Sequence, residues 1–292
     1  MSRTSFFLII MITLAGIAAC TPNQPPSTPV IEASDTTVKA GSEVFLIADS
    51  DDPDADPLYW KWHAESGTFN IDDAYTTVWT APLVDDTSHV TVNAEASDNH
   101  GNKASSDIVL TVYPRSASSG VEVIVGEKAV EDSALFDGAS YGSYRWQGLY
   151  YGSEIMKSGV IEKIAFMPSM SANAVFNNLM IYMIEVEREE LEANFQKNYE
   201  GGGPELVFFS SSIDYPASTD SWFGFDLSSS FDYDSTKNLL VEISWLTGNG
   251  SAVRNWGFGT VSKYRSTGSQ FEDALDGLKK ETVPYLRLSF EN

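Results

Sequence analysis

The chain has 292 residues, 42% hydrophobic, 12% aromatic and 20% charged; that is apolar material for one large domain or two ordinary ones, and it excludes wholesale disorder. Eighteen Lys and Arg stand against 41 Asp and Glu, a formal charge of -23. Such a surface repels phosphate backbones, which argues against a nucleic-acid partner.

Residues 1–20 read as an export signal: Arg3 gives a short positive start, Phe6 to Leu14 an apolar run, and Ala15 to Ala19 a small-residue approach to Cys20. The apolar run falls short of the roughly 20 residues of a spanning helix. The ending Ile17-Ala18-Ala19-Cys20 resembles the lipobox of bacterial lipoproteins. That resemblance implies removal of residues 1–19, lipidation of Cys20 and a durable membrane anchor, since multiple acyl chains hold where one is marginal; Thr21 next to it implies the outer membrane. Cys20 is the only cysteine, so no intramolecular disulfide competes for it. The competing reading is an ordinary secretory signal with a chance cysteine. Residues 20–29 follow with four prolines and no charge, a stalk rather than a core segment.

From residue 30 to 114, short β-rich runs alternate with turn residues, and no helical period stands out. Strands are expected at 29–33, 43–49, 58–63, 76–79, 89–96 and 107–113, with His89 to Ala96 alternating at period 2. The strings ADSDDPDADPLYWKW and VNAEASDNHGNKASSDIVLTV resemble the PKD and cadherin-like branch of bacterial Ig-like domains. The resemblance implies a β-sandwich used as a spacer or interaction module, and no catalysis. Asp49, Asp51, Asp52, Asp54 and Asp56 place five carboxylates in eight residues, and Asp98 on a neighbouring loop would add another oxygen ligand. Hard oxygen donors at this density suit a structural Ca²⁺, although the offsets do not fit an EF-hand loop. The alternative is a solvated acidic loop whose Asp and Pro residues set turns. The three histidines, His63, His89 and His100, form no metal-ligand motif, and no nucleophile elbow occurs, so no catalytic site is expected and no cofactor is required.

Residues 115–120 are small and polar and mark the expected boundary. Over residues 121–292, strands are expected at 121–125, 147–151, 160–167, 179–186, 205–211, 222–227, 238–246, 256–261 and 284–290, a jelly-roll-like sandwich. Helical interruptions are expected at 187–199 and 270–278. The ordered series LYYGSEI, SGVIEKIAF, FNNLMIYM, GPELVFFSSS and SWFGFDLSSSFDYDSTKNLLVEISW resembles a β-sandwich module repeated in bacterial secreted and surface proteins. Its matched positions, among them Glu154, Ile161, Phe166, Tyr182, Trp222, Tyr233 and Asn238, imply a fold and name no ligand. The chain departs from the pattern at Ser230, where proline is usual, and in the acidic then glycine-rich connection 187–203.

Tyr141, Tyr144, Trp146, Tyr150 and Tyr151 lie close to Arg145 and Gln147. Rings beside planar hydrogen-bonding groups are how sugar faces are held, so Tyr144, Arg145, Trp146, Gln147, Tyr150 and Tyr151 are the candidate ligand-binding set. The competing expectation is that these rings fill the sandwich, as expected also for Trp222, Trp245 and Trp256. Twenty-five carboxylates face 13 basic residues in this half; paired acids would serve a glycosidase, but solvated acids are ordinary in so negative a chain. The sequence therefore reads as an all-β, envelope-anchored lipoprotein with an Ig/PKD-like sandwich and a jelly-roll-like sandwich. Its expected role is non-catalytic adhesion or binding of a glycan or protein, or that of an envelope-assembly accessory that binds only proteins.

Overall fold

The computed structural model describes residues 22–115, 120–136, 142–259 and 263–291, and it is all-β. Cys20, Tyr141 and most of the 115–120 boundary lie outside the described residues. In the first lobe, Val30–Ala33, Glu43–Asp49, Thr76–Thr80 and Thr68–Phe69 form one sheet in that spatial order. Thr37–Lys39, Lys103–Tyr113, Ser88–Ser97 and Tyr59–Ala64 form the other, Thr37–Lys39 pairing in parallel and the rest antiparallel. Period-2 alternation sends Val44, Leu46, Ala48, Val90, Val92 and Ala94 inward, where Trp62 and Trp79 close the core and donate their indole N–H groups to the carbonyls of Ala74 (2.8 Å) and Ser66 (3.0 Å).

The second lobe has one large sheet in the spatial order Glu205–Ala217, Ala172–Val186, Asn238–Trp245, Tyr144–Tyr150, Ser266–Ser269, Leu278–Lys280; Thr247–Gly250 also pairs with Ala172–Val186. Facing it across one core are a four-stranded sheet, Phe223–Tyr233, Gly159–Phe166, Leu286–Phe290 and Val121–Val125, and a three-stranded sheet, Val130–Phe136, Val253–Gly259 and Thr282–Pro284. Phe136 sits at the centre, its ring 5.6 Å from Phe166, 4.8 Å from Tyr215 and 6.2 Å from Trp245.

The two helical expectations fail for one reason. Leu191, Phe195 and Tyr199 have helical spacing and are all buried, but their segment bonds to neighbouring chain instead of to itself: Leu191 N–H donates to Tyr264 O, Phe195 N–H to Leu275 O, and Gly277 N–H to Ala193 O. Only Gln196–Tyr199 closes a short 3₁₀ turn. Segments 187–203 and 270–277 are therefore laced together as a strap over the outer face of the large sheet. A run so rich in glutamate gains little from self-repelling helical turns.

The lobes touch along a specific line. Glu205–Ala217 and Phe223–Tyr233 are the edge strands of their sheets, and the first lobe covers both. Lys39 pairs with Glu162 at 2.9 Å, Glu43 accepts from Ser211 N–H at 2.6 Å, Asp35 accepts from the Ser229 hydroxyl, and Phe45 lies 6.0 Å from Phe209, ring to ring. Two edges that could template further strand pairing are thereby protected.

Candidate functional site

Strand Tyr144–Tyr150 divides the aromatic candidate set between two faces. Tyr144, Trp146 and Tyr150 point into the core, where Tyr144 stacks on Trp245 at 5.0 Å and Tyr150 donates to Pro284 O at 3.0 Å; burial pushes the Tyr150 phenol well above its ordinary value. The expectation of an open platform at these residues is corrected here: strand alternation and hydrophobic burial take the rings inward, the outcome the competing reading anticipated.

The polar members, Arg145 and Gln147, face outward but lie under the strap. Glu242, on the adjacent strand, is 5% exposed and accepts from Arg145 Nε (3.1 Å) and an Arg145 terminal nitrogen (3.2 Å), from Gln147 Nε2 (2.6 Å) and from the Tyr199 hydroxyl. Gln147 in turn accepts from Asn198, and the Arg145 guanidinium lies 4.7 Å from the Phe195 ring centroid. Beside this network, Tyr151 is half-buried, with the fully buried Arg265 guanidinium 3.9 Å from its ring centroid. Arg265 reaches Glu154 at 2.7 and 3.1 Å and Leu149 O at 2.8 Å. The motif glutamate thus holds a buried arginine in place. These groups answer one another and fasten the strap.

Outward aromatics occur elsewhere. Leu286, Leu288 and Phe290 point inward, so Tyr285 and Arg287 face out, and Trp222, on the turn before Phe223–Tyr233, packs across both: 4.9 Å from the Tyr285 ring and 5.0 Å from the Arg287 guanidinium. Trp256 adjoins them, since Tyr285 N–H donates to Trp256 O at 2.7 Å. Its indole N–H donates to Asp220 at 2.7 Å, Asp220 pairs with Lys128 at 2.8 Å, and Lys128 stands 5.8 Å from the Trp256 ring. Hydrogen bonds from Lys128 and Trp256 hold the Asp220 carboxyl below the usual carboxylate range. Trp222, Trp256 and Tyr285 are half-buried, which corrects the expectation that both tryptophans are core; Trp245 does lie in the core. The inward Leu286, Leu288 and Phe290 carry the signal that Tyr285 and Arg287 face out. Nothing in the sequence joins them to Trp222 and Lys128, which the fold brings from distant segments. The resulting surface combines broad ring area with three charged hydrogen-bonding groups.

In the first lobe, Asp49, Asp51 and Asp54 are exposed, while Asp56, Asp98 and His100 bring ligand atoms within 4.8 Å of one another. Asp52 Oδ1 accepts from the N–H groups of Asp54 and Asp56, shaping the loop beside them. Burial raises the Asp98 carboxyl, but donation from Asn102, from the N–H groups of His100 and Asn102, and from Asn23 outweighs it and brings the pKa to about 2. Asp52 Oδ2 and Asp56 Oδ2 are buried without a hydrogen-bond donor among the described residues, although His100 Nδ1 lies 3.1 Å from Asp56 Oδ2, where a protonated imidazole would pair with it.

No family model matches the chain, and no curated protein matches it. Among solved structures, one of the carbohydrate-binding modules from the β-sandwich superfamily, described for their promiscuous specificity, aligns at 15% identity and a TM-score of 0.28, over 80% of this chain and 97% of that one. A nucleoside hydrolase-related protein from Saccharophagus degradans, described as associated with carbohydrate metabolism, aligns at 21% identity and a TM-score of 0.26 over 31% of this chain; this chain spans 26% of that protein's length. At these scores neither likeness bears on what this chain binds.

Proposed function

We propose that this chain is a lipid-anchored protein of the bacterial envelope whose second lobe binds a glycan, without turnover, through the face made by Trp222, Trp256 and Tyr285. The observation that carries the reading is the contiguity of three half-buried rings with Lys128, Asp220 and Arg287: ring faces supply area for sugar C–H groups, and the charged groups orient hydroxyls. The absence of turnover is supported by the two buried carboxylates among the described residues, Asp98 and Glu242. Asp98 accepts hydrogen bonds from Asn102, His100 and Asn23 that favour its charged form, and the Glu242 oxygens are taken up by Arg145, Gln147 and Tyr199, whereas a glycosidase acid must hold a proton and reach its substrate.

The first lobe is the Ig/PKD-like member and the second the jelly-roll-like member of this reading, with Cys20 lipidated at the outer membrane and the first lobe, docked on two edge strands, fixing how the second is presented. Replacing Cys20 with Ser should release the protein from the membrane fraction. A structural Ca²⁺ in the first lobe is supported by Asp56 and Asp98, whose ligand atoms lie within 4.8 Å of one another and of His100, with the buried Asp52 Oδ2 a further oxygen on the same loop as Asp56. Millimolar Ca²⁺ should then raise the melting temperature, and Asp56→Asn should remove the rise; no rise in the unmodified protein counts against the ion.

The functional test is retardation of the soluble chain in polysaccharide-containing native gels. Retardation by at least one polysaccharide, lost in Trp222→Ala and Tyr285→Ala at unchanged melting temperature, is expected; no retardation by any of them refutes glycan binding. A second reading, an accessory that binds only proteins, draws on Phe271, Leu275 and Leu278, which are 64%, 69% and 82% exposed on and beside the strap. Loss of one stoichiometric envelope partner in Leu275→Asp, with no glycan bound, would favour it.

A further inference from the structure

We infer that the ligand of the Trp222–Trp256–Tyr285 face is a neutral glycan of flat-faced pyranoses, not a uronate or sulfated chain; the inference rests on the glycan-binding reading above. Its ground is the charge balance of the site. Among the described residues two cations border the rings, and each already has a carboxylate partner: Lys128 has Asp220 at 2.8 Å, and Arg287 has Glu122 at 3.3 Å. Asp220 is pinned further by the Trp256 indole N–H. An anionic sugar would have to displace one of these internal carboxylates to gain a charge-assisted contact. It would also approach a chain of charge -23, and at low salt that field repels it from a distance.

A neutral pyranose meets neither obstacle. Its hydroxyls both donate and accept, so Asp220 serves as acceptor, and Lys128 and the Arg287 guanidinium as donors, while both pairs stay intact. Sugars with equatorial substituents, gluco- or xylo-configured, present C–H groups on their broad faces, the form that half-buried rings such as Trp222 and Tyr285 accommodate.

The test is titration calorimetry of the mature, unlipidated chain with cellohexaose and xylohexaose on one side and oligogalacturonate and a sulfated oligosaccharide on the other. Affinity for a neutral oligosaccharide is expected to change less than about twofold between about 20 mM and about 300 mM NaCl, since no counterions are exchanged. Trp222→Ala should weaken it by about tenfold or more, the equivalent of losing one ring's stacking, while Trp222→Phe retains part of it. Asp220→Asn, which unpairs Lys128, should bring oligogalacturonate binding that the unmodified chain lacks.

Tighter binding of uronate or sulfated chains by the unmodified protein, falling steeply with salt, overturns the neutral class and leaves glycan binding standing. Binding of none of the four, by a chain that other polysaccharides retard in gels, overturns the sugar configuration. Neutral binding untouched by Trp222→Ala and Tyr285→Ala overturns both this inference and the proposed site.

Discussion

Glu242→Leu should loosen the second lobe through the strap. The carboxylate is 5% exposed, and its partner Arg145 has a side chain only 12% exposed. Removing the acid leaves a guanidinium with its main counter-charge gone and takes an acceptor from Gln147 and from Tyr199. Breaking a buried pair from one side costs about 3–5 kcal/mol. At roughly 2–4 °C per kcal/mol for a lobe of this size, its melting temperature should fall by roughly 6–20 °C. The measurement is differential scanning calorimetry, with limited proteolysis reporting on the strap, which should be cut earliest between 187 and 203. The double variant Arg145→Met with Glu242→Leu should recover much of the loss, because no charge is then left buried alone. A single variant within about 1 kcal/mol of the unmodified protein, or a double variant whose loss is the sum of the singles, would refute the account of a coupled, dry network.

Three further outcomes are expected. Gly67→Ala should destabilise the first lobe by more than the roughly 1–2 kcal/mol of a left-handed backbone alone, because φ is +81° and the new Cβ would meet Trp79 Nε1 at 2.4 Å; urea unfolding followed by tryptophan fluorescence checks it. Asp98, brought to about pKa 2 from an ordinary 3.8, gives stability that is fully present above about pH 4 and is lost as pH falls through the folded value. The gap in melting temperature between the unmodified chain and Asp98→Asn should therefore be widest above pH 4 and close toward pH 2; a constant gap contradicts this. Phe45→Ala, which removes the ring packed near Phe209, should leave both lobes folded but separate their calorimetric transitions, and one merged transition would show that the polar contacts suffice to couple them.

Much of the fold was legible because strand burial obeys a period of two. Glu43–Asp49 and Val121–Val125 occur at the expected positions, and the expected strand at 89–96 extends only to Ser88–Ser97. Short pairings such as Thr37–Lys39, Thr68–Phe69 and Leu278–Lys280 carry too few residues to show a period. The strap misled because Leu191, Phe195 and Tyr199 are spaced as a helix face, yet each segment of it bonds to distant chain. The candidate site was half legible for a related reason. Alternation shows which side of a strand a ring takes, but whether that side is core, strap or solvent depends on segments far away in sequence. Hence Trp146 went inside, Arg145 went under the strap, and Trp222 came to the surface beside Tyr285 and Arg287.

The central claim is that sugar contacts the Trp222–Trp256–Tyr285 face. The chain has seven tryptophans, each with one indole N–H, which makes an ¹H–¹⁵N spectrum of those seven signals during titration with a bound oligosaccharide the most direct test. The account predicts that the Trp222 and Trp256 signals shift together and saturate with one affinity, while Trp62, Trp79, Trp146 and Trp245, buried in the two cores, stay in place. Shifts confined to Trp60 or Trp62 in the first lobe, with Trp222 and Trp256 unmoved, would contradict it.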